Sequence, residues 1–134
     1  MLGLPGETYK DSLKTIDFAC RLPLDFAQFS ITVPYPGSQL FEDLVKDGKI
    51  NTGVRQDGTI DLAVWERYSA YNSFTDKKPI WVTEGMSVNE LKKVQKLALR
   101  RFYLRPKQIM RQIKRLKLSD LPRMLLIFKS VFFD

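Results

Sequence analysis

The sequence of residues 25–41 is DFAQFSITVPYPGSQLF. Its first half alternates apolar with polar side chains, the apolar ones being Ala27, Phe29, Ile31 and Val33 and the polar ones being Gln28, Ser30 and Thr32. A period of two is typical of a β-strand, and here it predicts one from Phe26 to Val33. The strand is expected to end at the turn Pro34-Tyr35-Pro36-Gly37, because proline cannot donate to a strand ladder.

Helices are predicted on both sides of this strand. Thr8, followed three residues later by Asp11, predicts a capping pair that opens a helix over Tyr9–Arg21. After the turn, Ser38 is expected to cap a second helix, which Gly48 ends. Strands and helices in alternation are typical of βαβ units, whose strands are parallel.

The first strand of such a unit is represented only by Met1 and Leu2. Strands usually run for about five or six residues, and two parallel strands with open edges rarely stand alone. We therefore expect the chain to begin inside a larger sheet. The predicted fold class is α/β, with about two parallel strands in residues 1–55, followed by an α-helical C-terminal region in residues 56–134.

Helical spacing dominates the second half of the chain. It predicts one helix over residues 62–69 and a second opened by the capping box Ser87-Val88-Asn89-Glu90. The apolar stripe of the second helix comprises Leu91, Val94, Ala98 and Phe102. Pro106 is expected to open a third helix, and a fourth is expected after Ser119-Asp120.

Several kinds of chemistry are excluded by residue type. The 134 residues include one cysteine, Cys20, and no histidine. Ser-His-Asp triads, Cys-His dyads and the usual zinc ligand sets therefore cannot be assembled. Cys20 lies on the apolar side of its predicted helix and is expected in the core. We expect this chain alone to bind no metal.

Positive charge is concentrated in the C-terminal part of the chain. Residues 1–80 carry nine basic and eleven acidic side chains, whereas residues 81–134 carry 13 basic and four acidic ones. Between Lys92 and Lys117 there are eleven Lys or Arg and no Asp or Glu. Such a segment forms either a solvated helix face or a surface that attracts phosphate groups. The basic residues expected off the apolar stripe of their helix are Lys92, Lys93, Lys96, Arg100 and Arg101.

Two anionic partners are open for this segment: nucleic acid, and an anionic membrane surface. The apolar residues that would support membrane contact are Leu125, Phe128, Phe132 and Phe133. No stretch approaches the ~20 apolar residues of a membrane span, and the N-terminus lacks the features of a signal peptide. We expect a cytoplasmic protein, with contact at a membrane surface as an alternative.

The polar row of the predicted strand has two interpretations. In one, Gln28 and Ser30 line a cavity inside a barrel, together with Tyr35 from the following turn, and contact a substrate. In the other, the row belongs to a half-solvated edge strand. The sequence of residues 3–8, Gly-Leu-Pro-Gly-Glu-Thr, also has two interpretations. It predicts either a loop that approaches an anion or a tight turn with a helix cap.

The two loops together resemble a known family. The string MLGLPGET at residues 1–8, followed by residues 25–41, is similar to the fifth and sixth strands of the radical S-adenosylmethionine (SAM) barrel. The similarity is greatest to the branch that carries an N-terminal cobalamin-binding domain. Residues 65–68, Trp-Glu-Arg-Tyr, and 102–106, Phe-Tyr-Leu-Arg-Pro, resemble the helical tail of that branch.

The resemblance implies a fold and a set of cofactors. The fold is a partial (β/α)6 barrel, a TIM-like fold of which this chain would be a fragment. In the intact enzyme a 4Fe-4S cluster reductively cleaves SAM, and the resulting radical abstracts hydrogen from the substrate; cobalamin is implied by the branch. Gly3 matches the second glycine of a Gly-x-Ile-x-Gly strand that packs on the adenine of SAM, and Met1 takes the Ile position. The sixth strand implies Ile31, Thr32 and Val33 as further SAM-binding residues.

The CxxxCxxC motif of the family is absent from this chain, as are strands one to four and the cobalamin domain. We therefore expect the C-terminal portion of an enzyme that methylates or rearranges an unreactive carbon, inactive by itself. Its partner would be the missing N-terminal part or a complementing subunit. The alternative is a small basic protein that binds nucleic acid or an anionic membrane surface.

Overall fold

The computed structural model describes residues 1–71 and 74–115. Within these residues the chain forms five helices. They are α1 (Tyr9–Arg21), α2 (Gln39–Lys46), α3 (Leu62–Trp65), α4 (Val88–Tyr103) and α5 (Pro106–Arg115). None of the helices in this part of the chain has the length and hydropathy of a membrane span.

The predicted helix starts are confirmed. Capping boxes open α1 at Thr8 and α4 at Ser87, and the Ser38 side chain caps α2. Gly48 follows α2 with a φ of +66°, a conformation that only glycine adopts without strain. One helix is shorter than predicted: residues 62–69 were expected to be helical, but α3 makes a single turn over Leu62–Trp65. The helix predicted after Ser119 lies outside the described residues.

The core forms where α1 packs against α4. The predicted α4 stripe is confirmed, since Leu91, Val94, Ala98 and Phe102 are all buried. The other members of the core are Leu2, Ile16, Phe29, Ile31, Val33, Tyr68, Ile80 and Met86. One core therefore combines residues from both sides of the boundary expected between residues 55 and 56.

The predicted α/β class is wrong, because the described residues are mainly helical and contain no sheet. The strand expected over Phe26–Val33 is reduced to one parallel bridge, between Leu2 and Ile31. The Leu2 amide donates to the Ser30 carbonyl at 2.9 Å, and the Thr32 amide donates to the Leu2 carbonyl at 2.8 Å. A single bridge does not form a fragment of a (β/α)6 barrel with two parallel strands.

The hydrogen bonds of residues 26–33 explain why no strand forms. The Tyr103 hydroxyl donates to the Ala27 carbonyl at 3.0 Å and lies 3.3 Å from the Ala27 amide. The Phe29 carbonyl accepts from a glutamine side chain, and the Ile31 amide donates to the Ala70 carbonyl at 3.2 Å. Side chains and irregular segments thus take most of the positions that a neighbouring strand would occupy. Burial alternates from Phe26 to Ile31, as the sequence pattern indicated, but the alternation stops at Thr32, which is buried between Ile31 and Val33.

Gln95 is the buried polar residue that connects these segments. Its side chain is fully buried in α4, and its amide nitrogen lies 2.6 Å from the Phe29 carbonyl and 2.8 Å from the Ala70 carbonyl. Because the Ile31 amide also donates to the Ala70 carbonyl, the Phe29 carbonyl is the one that relies on Gln95 as its donor among the described residues. The glutamine therefore holds residues 29–31 and residue 70 against the same helix.

Replacement of Gln95 by leucine should destabilise the protein. The substitution keeps the size of the side chain but leaves the buried Phe29 carbonyl without this donor, at a cost of about 1–3 kcal/mol. Urea denaturation of the full chain measures the loss, and Asn89→Leu, an amide-to-leucine change at an exposed position of α4, is the matched control. Equal stability of the two variants would contradict the assigned role.

Acid should weaken the cap of α4. The Ser87 backbone amide donates to the Glu90 carboxylate at 2.8 Å, and this bond and the Ser87 hydroxyl lower the pKa of Glu90. A lowered pKa adds stability that is present above the ordinary value of 4.5 and is lost as pH falls below it. Glu90→Gln keeps an acceptor but should remove this part of the pH dependence of unfolding. Glu42→Gln, which removes an exposed carboxyl from α2, should retain it; identical profiles would refute the assignment.

Candidate functional site

The two loops of interest lie side by side. The Leu2–Ile31 bridge places Gly3 next to the segment that contains Thr32 and Val33. The two segments run in the same direction, so residues 3–8 and the Pro34–Gly37 turn leave the bridge on the same side. The bridge therefore brings the starts of the two segments together.

The residues expected to bind SAM now contact the protein itself. Met1 is 61% exposed, whereas Ile31, Thr32 and Val33 are buried, and the Thr32 hydroxyl donates to the Leu2 carbonyl at 3.0 Å. Gly3 has a φ of +75°, and a Cβ there would lie 2.8 Å from a Leu91 methyl group. The positive φ favours glycine at this position, and the residue packs against Leu91 of α4. A role for these five residues in binding SAM stays a prediction.

The residues expected to line a substrate cavity do not share one environment. Gln28 is exposed, and its amide donates to the Tyr71 hydroxyl. Ser30 is half-buried, while Tyr35 is 52% exposed. Tyr35 is nevertheless anchored, because its hydroxyl donates to the Tyr68 carbonyl at 3.2 Å. Their contact with a substrate also stays a prediction.

The glycine-proline loop at residues 3–8 forms a tight turn. The Glu7 carboxylate accepts from the Leu4 amide at 2.8 Å and from the buried Ser12 hydroxyl at 2.7 Å. The capping box of Thr8 and Asp11 satisfies amides of the first turn of α1. Of the two interpretations of this loop, the structure therefore shows the turn with a cap.

Three aromatic residues form the best candidate site beside these loops, and we call them the aromatic cluster: Tyr35, Trp65 and Tyr68. The ring centroids of Tyr35 and Tyr68 are 6.4 Å apart, and those of Trp65 and Tyr68 are 5.5 Å apart. Tyr35 and Trp65 reach the surface, whereas Tyr68 is only 8% exposed. The Trp65 ring lies close over Gly53, where a Cβ would approach it to 2.7 Å.

The hydroxyl of Tyr68 makes this cluster chemically distinctive. It is buried and has no hydrogen-bond partner among the described residues, and burial raises the pKa of Tyr68. A buried phenol can donate to a ligand that reaches it, while the flanking rings offer an apolar platform. Of the three residues of the aromatic cluster, only Tyr35 was predicted from the sequence as a site residue. The pairing of Trp65 and Tyr68 three residues apart was the signal that could have identified the rest.

The two C-terminal motifs that carry the resemblance have structural roles. The Arg67 guanidinium donates to the carbonyls of Lys78 and Pro79, at 3.3 and 3.1 Å. Arg105 donates to the Cys20 carbonyl at the end of α1 and lies over the Phe102 ring, 4.1 Å from its centroid. Both motifs thus fasten distant segments to one another.

The described residues contain no group of three or more Cys, Asp or Glu side chains arranged to hold a metal ion. Cys20 is the single cysteine of the chain and is half-buried on α1. A 4Fe-4S cluster takes cysteine thiolate ligands, so the donor set of this chain does not fit one.

Comparison with known proteins finds one informative similarity. The chain is 29% identical over 113 residues to an uncharacterized methyltransferase of Pyrococcus horikoshii. The aligned region covers 84% of this chain but only 21% of that protein, so the chain spans about a fifth of its relative. No family model matches, and no solved structure matches. The chain is therefore distantly similar to part of a protein named as a methyltransferase.

Two conservative substitutions test the aromatic cluster. Tyr68→Phe removes a buried hydroxyl that has no partner, so stability to urea should stay unchanged or rise. Tyr35→Phe removes a hydrogen bond to the Tyr68 carbonyl and should cost about 0.5–1.5 kcal/mol. Each variant is the control for the other. Greater loss in Tyr68→Phe than in Tyr35→Phe would show that the Tyr68 hydroxyl is partnered in solution.

Proposed function

We propose that this chain is part of a SAM-dependent methyltransferase. The observation that carries the proposal is the 113-residue similarity to a protein that bears this name. The similarity extends over 84% of the chain. The remainder of the activity would reside in the rest of a longer protein, because the chain spans about a fifth of its relative.

The finer proposal is a radical SAM enzyme of the cobalamin-binding branch, and it rests on the resemblance of residues 1–8 and 25–41. The bridge between Leu2 and Ile31 supports it, since it brings the two resembling segments together. The lone Cys20 means that cluster ligands would have to come from outside this chain. When bound, a cluster would supply the electron that cleaves SAM.

In the intact enzyme, this chain would position the segments that surround the substrate and would exclude water from them. α4 and its Gln95 hold residues 29–31 in place, and the Pro34–Gly37 turn displays Tyr35 beside Tyr68. An aromatic surface of this kind favours planar or apolar ligands. The Tyr68 hydroxyl, buried beneath it, would serve to orient a polar group of the substrate.

The isolated chain is expected to be inactive. After anaerobic treatment with iron and sulfide, it should release neither 5′-deoxyadenosine nor S-adenosylhomocysteine from SAM, because the chain lacks the cysteine ligands. The measurement is chromatography of SAM incubations with and without reductant. Cleavage of SAM by the chain alone would refute the proposal that the cluster ligands come from outside this chain.

Experiments on a longer protein that includes this chain would distinguish the methyltransferase proposal from the radical SAM proposal. The reading frame upstream of Met1 should encode three closely spaced cysteines, and the protein it specifies should yield both products from SAM. Formation of S-adenosylhomocysteine alone would support a methyltransferase and reject the radical mechanism. Failure to bind SAM or to transfer its methyl group would reject both.

A further inference from the structure

Helix α5 attaches to the rest of the molecule through its polar side. The Gln108 side chain is only 2% exposed, and its amide donates to the Asp25 backbone carbonyl. Three residues further along the helix, the Arg111 guanidinium pairs with the Asp25 carboxylate. Residues three apart share a helix face, so the side of α5 that meets the core is the hydrophilic one.

Two apolar residues of α5 consequently lie at the surface. Ile109 is 40% exposed and Met110 is 57% exposed, and Leu104, at the end of α4, is 42% exposed beside them. Lys107 is exposed on the same helix. An amphipathic helix normally buries its apolar side, so α5 is inverted relative to the core. We call Leu104, Ile109 and Met110 the outer stripe.

Positive charge surrounds the outer stripe. Residues 92–115 hold ten Lys or Arg and no Asp or Glu. Part of this charge is neutralised by the molecule itself, since Arg101 pairs with Asp17 at 2.9 Å and Arg111 pairs with Asp25. Lys107 is exposed, and no ion pair joins it to an acidic side chain among the described residues. Lys93 is exposed as well, but its charge acts on Glu90, three residues before it on α4.

We propose that the outer stripe of α5 docks on an anionic lipid surface. Apolar side chains enter the boundary between headgroups and acyl chains, while neighbouring lysines contact lipid phosphates. The sequence that follows α5 suits the same partner, because it holds several Leu and Phe residues together with further Lys and Arg. Nucleic acid fits less well, because it would leave the outer stripe in water. This proposal is independent of methyl transfer.

Sedimentation of the full chain with vesicles tests the docking. Vesicles of phosphatidylcholine containing phosphatidylglycerol should bind the chain, and pure phosphatidylcholine vesicles should bind it at least about fivefold more weakly. Binding should weaken as salt rises, because charge attraction is screened. Equal binding to the two vesicle types, or none to either, would overturn the proposal.

Matched substitutions identify the surface. Met110→Glu should weaken vesicle binding at least about fivefold, whereas Phe18→Glu should not, although Phe18 is 65% exposed on α1. Lys107→Glu should weaken binding more than Lys10→Glu, which makes the same charge change on α1. Circular dichroism and urea denaturation establish that all four variants are folded.

The remaining outcomes are also decisive. Binding to an RNA oligonucleotide that falls with Lys107→Glu but not with Met110→Glu, without vesicle binding, would replace the lipid surface with nucleic acid. A concentration-dependent dimer that Met110→Glu dissolves, again without vesicle binding, would replace it with a second copy of the chain. Either result would reject the proposal while leaving the proposed methyltransferase function intact.

Discussion

One buried amide organises the described structure. Gln95 lies inside the apolar stripe of α4, where an unpaired polar group would be costly. Its position is favourable only because two backbone carbonyls from distant segments accept its hydrogen bonds. The segments of residues 29–31 and residue 70 are therefore held to a helix rather than to a neighbouring strand. This arrangement accounts for a molecule with parallel segments and no sheet.

Local features of the sequence predicted the helices well. Thr8, Ser38 and Ser87 cap the helices that they were expected to cap, because the capping interaction is complete within three or four residues. The burial of the α4 stripe also followed from spacing alone. The strand over residues 26–33 was wrongly predicted, since alternation reports which side chains are buried and not which group pairs with the backbone. The hydroxyl of Tyr103 and the amide of Gln95 lie far away in sequence, and no local pattern indicates them.

The candidate site was predictable only in outline. The resemblance singled out residues 1–8 and 25–41, and the bridge between Leu2 and Ile31 joins these two segments. It did not indicate that Gly3 packs under Leu91, or that Tyr35 stacks near Tyr68, because both contacts are tertiary. The proposed function therefore rests on the similarity to part of a protein named as a methyltransferase, and not on the contacts of these loops. The structure in turn shows an aromatic surface, which the similarity to other proteins did not indicate.

The attachment of α5 differs in kind from the packing of α1 on α4. Its joint includes the Arg111–Asp25 ion pair and the hydrogen bond from Gln108 to the Asp25 carbonyl, whereas Ile109 and Met110 remain partly exposed. Coulomb attraction strengthens when water is displaced and weakens when ions accumulate. The attachment of α5 thus depends on electrostatic attraction, whereas the packing of α1 on α4 depends on the fit of apolar side chains. An environment poor in water would tighten the joint without disturbing the core.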